Sequence, residues 1–133
     1  MGSGYLSKIA FSLGVKGTQV NASSGSVSNA TATATLPAVS GKTNYITGFE
    51  VTGTGVTALG VSGVTVTVTG TLGGTLSYVY AAASGVAVAN TPLLIEFPEP
   101  VQASAVNTAI VVSCPALGAG NVGNAVVAHG FVL

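Results

Sequence analysis

His129 and Cys114 are a base and a nucleophile by type, the only histidine and the only cysteine in 133 residues. Thiol catalysis needs such a pair within hydrogen-bond reach. Their settings argue otherwise: Cys114 precedes Pro115 at the end of an apolar run, and His129 alternates with Ala128 and Gly130 in the last one. We therefore read His129 as a surface or interface residue. A zinc site needs three or four ligands, and one His with one Cys leaves that set incomplete. Glu96 and Glu99 are the closest carboxylates in the chain, and a carboxylate pair can cleave glycosides. Pro98 and Pro100 fix the backbone around them, so they read instead as a charged, proline-guarded strand edge that discourages stray pairing. Ser40-Gly41-Lys42-Thr43 has the end of a phosphate-binding loop, but Leu36 stands where the first glycine belongs and the strand-like Asn44-Tyr45-Ile46 follows. It reads as a turn with Lys42 on the surface. Glu50 alternates away from Phe49 and Val51, towards solvent or a lysine of a neighbouring subunit. Asn21-Ala22-Ser23 and Asn29-Ala30-Thr31 match the glycosylation sequon, as chance allows in a chain rich in Asn, Ser and Thr.

Composition explains why so few candidates exist. Lys8, Lys16 and Lys42 balance Glu50, Glu96 and Glu99, and these six are the whole charge inventory, 5% of the chain. Globular domains carry about a quarter charged residues. The scarcity predicts no enzyme and no cofactor. Three lysines build no basic patch, so no nucleic-acid partner is expected. A 48% apolar chain of zero net charge is instead suited to self-association. Its hydropathy comes from Val and Ala interspersed with Thr, Ser and Gly, never from about 18 consecutive apolar residues, so no membrane helix is expected. Residues 1–14 lack a cleavage site and do not read as a signal peptide. The single thiol fits a protein made in the cytosol.

The elements that must position these residues are strands. In Val64-Thr65-Val66-Thr67-Val68-Thr69 apolar and hydroxyl residues alternate strictly, and Ala30, Ala32, Ala34 and Leu36 do the same against Thr31, Thr33 and Thr35. Nineteen glycines punctuate the chain. We expect an all-β chain with strands over residues 5–13, 27–36, 44–52, 63–71, 75–82, 93–97, 108–114 and 124–133. Gly73-Gly74 marks a two-residue hairpin turn. About eight such strands predict a two-sheet β-sandwich, jelly-roll-like, with an immunoglobulin-like sandwich as the alternative. Residues 1–28 are expected as an N-terminal strand and flexible arm, with residues 18–28 as arm or long loop, and residues 29–133 as the sandwich. Phe49, Val51, Tyr78, Tyr80, Leu93, Ile95, Phe97, Ile110, Val112 and Phe131 should supply most of the core. The alanine face of Ala30, Ala32 and Ala34 buries little area but lets a neighbouring sheet or subunit approach closely.

The stretch Leu36-Pro37-Ala38-Val39-Ser40-Gly41-Lys42-Thr43-Asn44-Tyr45-Ile46-Thr47-Gly48-Phe49-Glu50-Val51-Thr52-Gly53 resembles a group of small virion-associated proteins of tailed bacteriophages. The likeness continues through residues 64–77 with Gly73-Gly74-Thr75-Leu76, through Thr91-Pro92-Leu93 to Pro100, and through Gly118-Ala119-Gly120-Asn121 to Leu133; residues 1–28 are unmatched. The resemblance implies a β-sandwich capsid decoration or head-fibre component on the phage head, made in the host cytoplasm, commonly a homotrimer bound to the major capsid protein. It implies no catalytic residues. Candidate contacts with capsid or subunit are Tyr5, Lys8, Phe11 and Lys16 in the arm, and Ala30, Ala32 and Ala34. A fibre module that binds host glycans and a subunit of a tube or filament are the alternatives.

Overall fold

The structure, a computed structural model, describes residues 17–57 and 63–133. Eight strands run in chain order: β1 (Thr18–Ser23), β2 (Ala32–Leu36), β3 (Asn44–Gly53), β4 (Val64–Thr69), β5 (Leu76–Tyr80), β6 (Leu93–Gln102), β7 (Ile110–Cys114) and β8 (Asn124–Val132). There is no helix among the described residues. The strands form two antiparallel four-stranded sheets, sheet A in the order β1-β8-β3-β6 and sheet B in the order β2-β7-β4-β5. Pairing is nested: β1 with β8, β2 with β7, β3 with β6, β4 with β5. Such nesting is a long hairpin rolled over on itself, and the lateral pairs β3–β8 and β4–β7 close the roll. This is the jelly-roll order, and it excludes the immunoglobulin alternative.

Alternation builds the core. On sheet B, Ala32, Ala34, Leu36, Val66, Val68, Ile110, Val112 and Cys114 face inward and are buried. Sheet A contributes Ile46, Phe49, Val51, Val126 and Ala128. Full burial of a side chain such as Phe49 stabilises by about 1.5–3 kcal/mol, and its ring meets Tyr78 edge-on at 5.3 Å and Phe97 at 6.3 Å. Tyr78, Leu93 and Ile95 are only partly buried. The small inward residues of β2 allow close approach to the opposing sheet. There a Cβ on Gly130 of β8 would lie 2.9 Å from Leu36 Cδ1.

Two irregularities mark sheet A. Ile46 pairs with Gly130 and Gly48 with His129, so β3 carries one extra residue, Thr47, in a bulge. The bulge lets Ile46 and Phe49, three apart in sequence, both face inward while Glu50 faces out. On the other side β6 pairs Val101 with Ile46 and Glu96 with Gly48, and it loops through Pro98 and Pro100 in between. β6 is an edge strand, where prolines without donors belong.

Three sequence expectations change. Residues 18–28, read as flexible arm or loop, supply β1 and the bridge from Val27 to Asn124, which places a strand of the sandwich ahead of residue 29. The expected strand over residues 27–36 is broken: Asn29, at φ 42°, turns the chain before β2 begins at Ala32. The β4–β5 connection is longer than two residues, spanning 70–75, with Gly73 and Gly74 at φ 94° and 113°. The expected strand over residues 5–13 lies outside the described residues.

In a chain so poor in charge, neutral amides hold the loops. Asn44 Nδ2 donates to the carbonyls of Pro37 and Thr108, both at 2.9 Å. Asn121 Nδ2 donates to Thr54 and Gly123 carbonyls at 2.8 and 2.9 Å, and Asn90 Nδ2 to the Thr54 carbonyl at 3.0 Å. An amide both donates and accepts without the desolvation cost of a charge.

Candidate functional site

The polar groups with chemical potential gather on the outer face of sheet A. Register sets one row across its four strands: Asn21 on β1, His129 on β8, Gly48 on β3 and Glu96 on β6. Glu50 stands opposite Val127, hence diagonal to His129, within reach of a long side chain. His129 Nδ1 lies 2.7 Å from Asn21 Oδ1, and its Nε2 lies 2.8 Å from Glu50 Oε1. Both side chains of the ion pair are more than a third exposed. An imidazolium donates to both oxygens. With its amide turned over, Asn21 presents NH₂ to Nδ1, and the neutral ring is satisfied as well. The asparagine therefore holds the ring in either charge state.

Gly48 makes the site concave. It sits between His129 and Glu96 and carries no side chain, and a Cβ there would lie 2.5 Å from the Ile95 carbonyl oxygen. The result is an open depression of about 530 Å³, with Gly48 at its floor and Glu50, Glu96, His129 and Leu94 around it. Thr47, the bulge residue, donates through Oγ1 to the His129 carbonyl at 3.1 Å and ties the rim to β8.

The carboxylates and amide around this site are groups that can accept hydrogen bonds from cations and hydroxyls. Asn21 and Glu50 occupy both imidazole nitrogens, leaving neither to activate a nucleophile. Cys114 is far from that role: it faces inward from sheet B, fully buried, with the Asn124 amide 3.7 Å from Sγ. Burial pushes its thiol pKa up, the Asn124 contact opposing. Among the described residues no group of three or more His, Cys, Asp or Glu side chains is placed to hold a metal ion. Glu96 borders the depression, while Glu99 lies beyond Pro98 in the irregular part of β6. Lys42 is exposed in a turn, its amide bonded to the Val39 carbonyl at 3.1 Å, and β3 follows.

The candidate contact residues separate. Tyr5, Lys8, Phe11 and Lys16 lie outside the described residues. Ala30 is exposed ahead of β2, but Ala32 and Ala34 are each 1% exposed and pack inward against the opposing sheet. They cannot touch a capsid or another subunit. Their neighbours Thr33 and Thr35 face outward in their place. The expected partner of Glu50, solvent or a lysine of a neighbouring subunit, is instead His129, 79 residues on. No local pattern announces that pair; only strand order shows that β3 and β8 are neighbours.

The outer face of sheet B is the second surface. Thr33, Ser113, Thr67 and Ser77 form one row across all four strands, with Thr33 Oγ1 and Ser113 Oγ 3.4 Å apart. No strand of this sheet contains a charged residue. In comparisons with known proteins, the chain matches no family model, no curated protein and no solved structure.

Proposed function

We propose that this chain is a structural protein of a phage particle, a decoration protein that stabilises the head by bridging capsid subunits. The observation that carries this reading is the outer face of sheet B, a regular, uncharged surface of hydroxyl and β-branched side chains. Such a face packs against a protein surface without desolvating charge, and its contacts are insensitive to salt. The jelly-roll scaffold and the sequence resemblance to virion-associated proteins of tailed phages support the same reading. The function is mechanical and needs no reaction. Specific contacts of about 1,200–2,000 Å², repeated over the shell, oppose the pressure of packaged DNA. A homotrimer seated on the major capsid protein is the assembly this reading favours, on the surface of the head.

Quantitative mass spectrometry and cryo-electron microscopy of the purified particle test it. Many copies spread over the head are expected; a few copies at one vertex or on the tail overturn it. Thr33→Arg with Ser113→Arg should abolish attachment to heads while leaving the sandwich folded.

The depression on sheet A favours a second reading, a fibre module that binds host glycans. Its volume of about 530 Å³ suits a small ligand, and the second carboxylate oxygen of Glu50 and the remaining amide group of Asn21 can hydrogen-bond to it. Sugar rings also need an exposed aromatic face. Phe49, the one aromatic residue bordering the depression, is fully buried, and the Tyr45 ring is stacked on Phe131 at 5.0 Å and 11°. Specific signals on a glycan array, lost in Glu50→Ala, would decide for this reading.

A further inference from the structure

The two sides of the sandwich are finished differently. On one side β1 lies against β2, and Ala32 and Ala34 are covered to 1% exposure. On the other, where β5 and β6 end their sheets, Leu76, Tyr78, Leu93 and Ile95 face the core yet stay partly exposed. A groove of about 380 Å³ bordered by Val79, Tyr80, Pro92 and Leu93 opens there. The two edges of this seam also differ. β6 carries Glu96 and Glu99 with Pro98 and Pro100, devices that keep a foreign strand from pairing. β5, Leu76-Ser77-Tyr78-Val79-Tyr80, has neither a charge nor a proline. Among the described residues no loop backbone is hydrogen-bonded to it, and its outward Val79 is 75% exposed.

Such an edge accepts an uncharged strand without desolvating a charge, and β5 is itself one. Turned about a two-fold axis perpendicular to the sheet, β5 of a second copy runs antiparallel to the first and keeps both cores on the same side. Full overlap of the five residues sets Tyr78 opposite Tyr78, Leu76 opposite Tyr80 and Ser77 opposite Val79. Inward residues then meet inward ones, and aromatic and aliphatic pairs of this kind stabilise a ladder. The other edges of the chain fit less well. The β2 edge is closed by β1, β6 is guarded, and β1 turns Gln19, Asn21 and Ser23 outward.

We propose that two copies of this chain join through β5, antiparallel and centred on Tyr78, so that two B sheets become one sheet of eight strands. The contact covers Val79 and the open seam, and it continues the uncharged outer face from one copy to the next.

Oxidation of an equal mixture of Ser77→Cys and Val79→Cys proteins tests the pairing, because opposed residues lie about 4.5–5.5 Å apart at Cα, within disulfide reach. A covalent dimer linking residue 77 of one copy to residue 79 of the other is expected, with Cys114 buried away from the reaction. No such dimer overturns the proposal. Either variant alone should stay uncoupled; equal coupling there marks random collision and overturns it too. In sedimentation velocity of the full chain, Val79→Lys should raise the concentration of half-dissociation at least tenfold with the circular dichroism of the sandwich retained. An unchanged value in that folded variant also overturns the pairing. If it unfolds, Ser77→Lys gives the same readout from the opposing position. Neither measurement involves a phage particle, so this contact and the attachment to a head stand or fall separately.

Discussion

On the outer face of sheet B, Thr33, Ser113, Thr67 and Ser77 form a straight row over four strands. The corresponding row on sheet A is Asn21, His129, Gly48 and Glu96, bordered by a bulge in β3 and a proline-bearing irregularity in β6. Both faces come from period-two alternation. Where alternation is unbroken it yields a flat neutral surface fit for packing. Where one extra residue breaks it, a long acidic side chain, an imidazole and a glycine floor come together. Charge follows irregularity in this molecule, and the regular sheet does without it.

The largest expected effect comes from changing the length of each sheet by one residue. Inserting Ala between Val66 and Thr67 turns Thr67 and Thr69 inward and Val68 out, with no bulge to absorb the shift. Urea unfolding should show a loss of about 4 kcal/mol or more. Removing Thr47 should cost only about 1–2 kcal/mol, because Ile46 opposite Gly130 and Gly48 opposite His129 are then consecutive pairs on their proper faces. Equal losses would break the contrast. Next, Gly48→Val forces a Cβ against the Ile95 carbonyl and should cost about 1–3 kcal/mol while filling the depression.

A third expectation concerns the core that both sheets share. Burial raises the Cys114 thiol above its ordinary 9.0, and burial also raises Tyr78 and Tyr80 above 10.0. In each case the folded state holds its proton longer than the unfolded chain does. The stability is complete below the unfolded values and is lost as pH rises through the folded ones. Melting curves should therefore fall above about pH 9, and Cys114→Ala should delay the fall until the tyrosines titrate. Smaller still, His129→Ala should cost about 0.2–1 kcal/mol, as befits a partly exposed pair. Thr67→Val on the hydroxyl face should stay within about 0.5 kcal/mol.

The regular half of the molecule was legible from sequence for the same reason that it is regular. Val64–Thr69 announces its faces because every other residue is valine. β1 was hidden because its inward residues, Val20 and Ala22, are small and its outward ones are Gln19, Asn21 and Ser23, a composition shared with loops. The alanines of β2 were read correctly as a close-packing face, but Ala32 and Ala34 pack within the sandwich rather than against a neighbour. Glu50 and His129 could not be joined from sequence, since their meeting depends on the bulge at Thr47 and on β8 returning beside β3.

The nesting of the strands also has a consequence in time. Thr18, at the start of β1, pairs with Val132, the last residue but one, and β8 lies between β1 and β3. β1 therefore has no neighbour in its sheet until the C-terminal strand exists. During synthesis sheet A stays open until β8 has been made, while β4 and β5, adjacent in sequence, can pair early. Closing such long loops is slow, and a depleted charge count gives the waiting strands little electrostatic protection from one another. The cell's exposure to this protein's sticky half-folded form is set by how quickly its last nine-residue strand (Asn124–Val132) comes home.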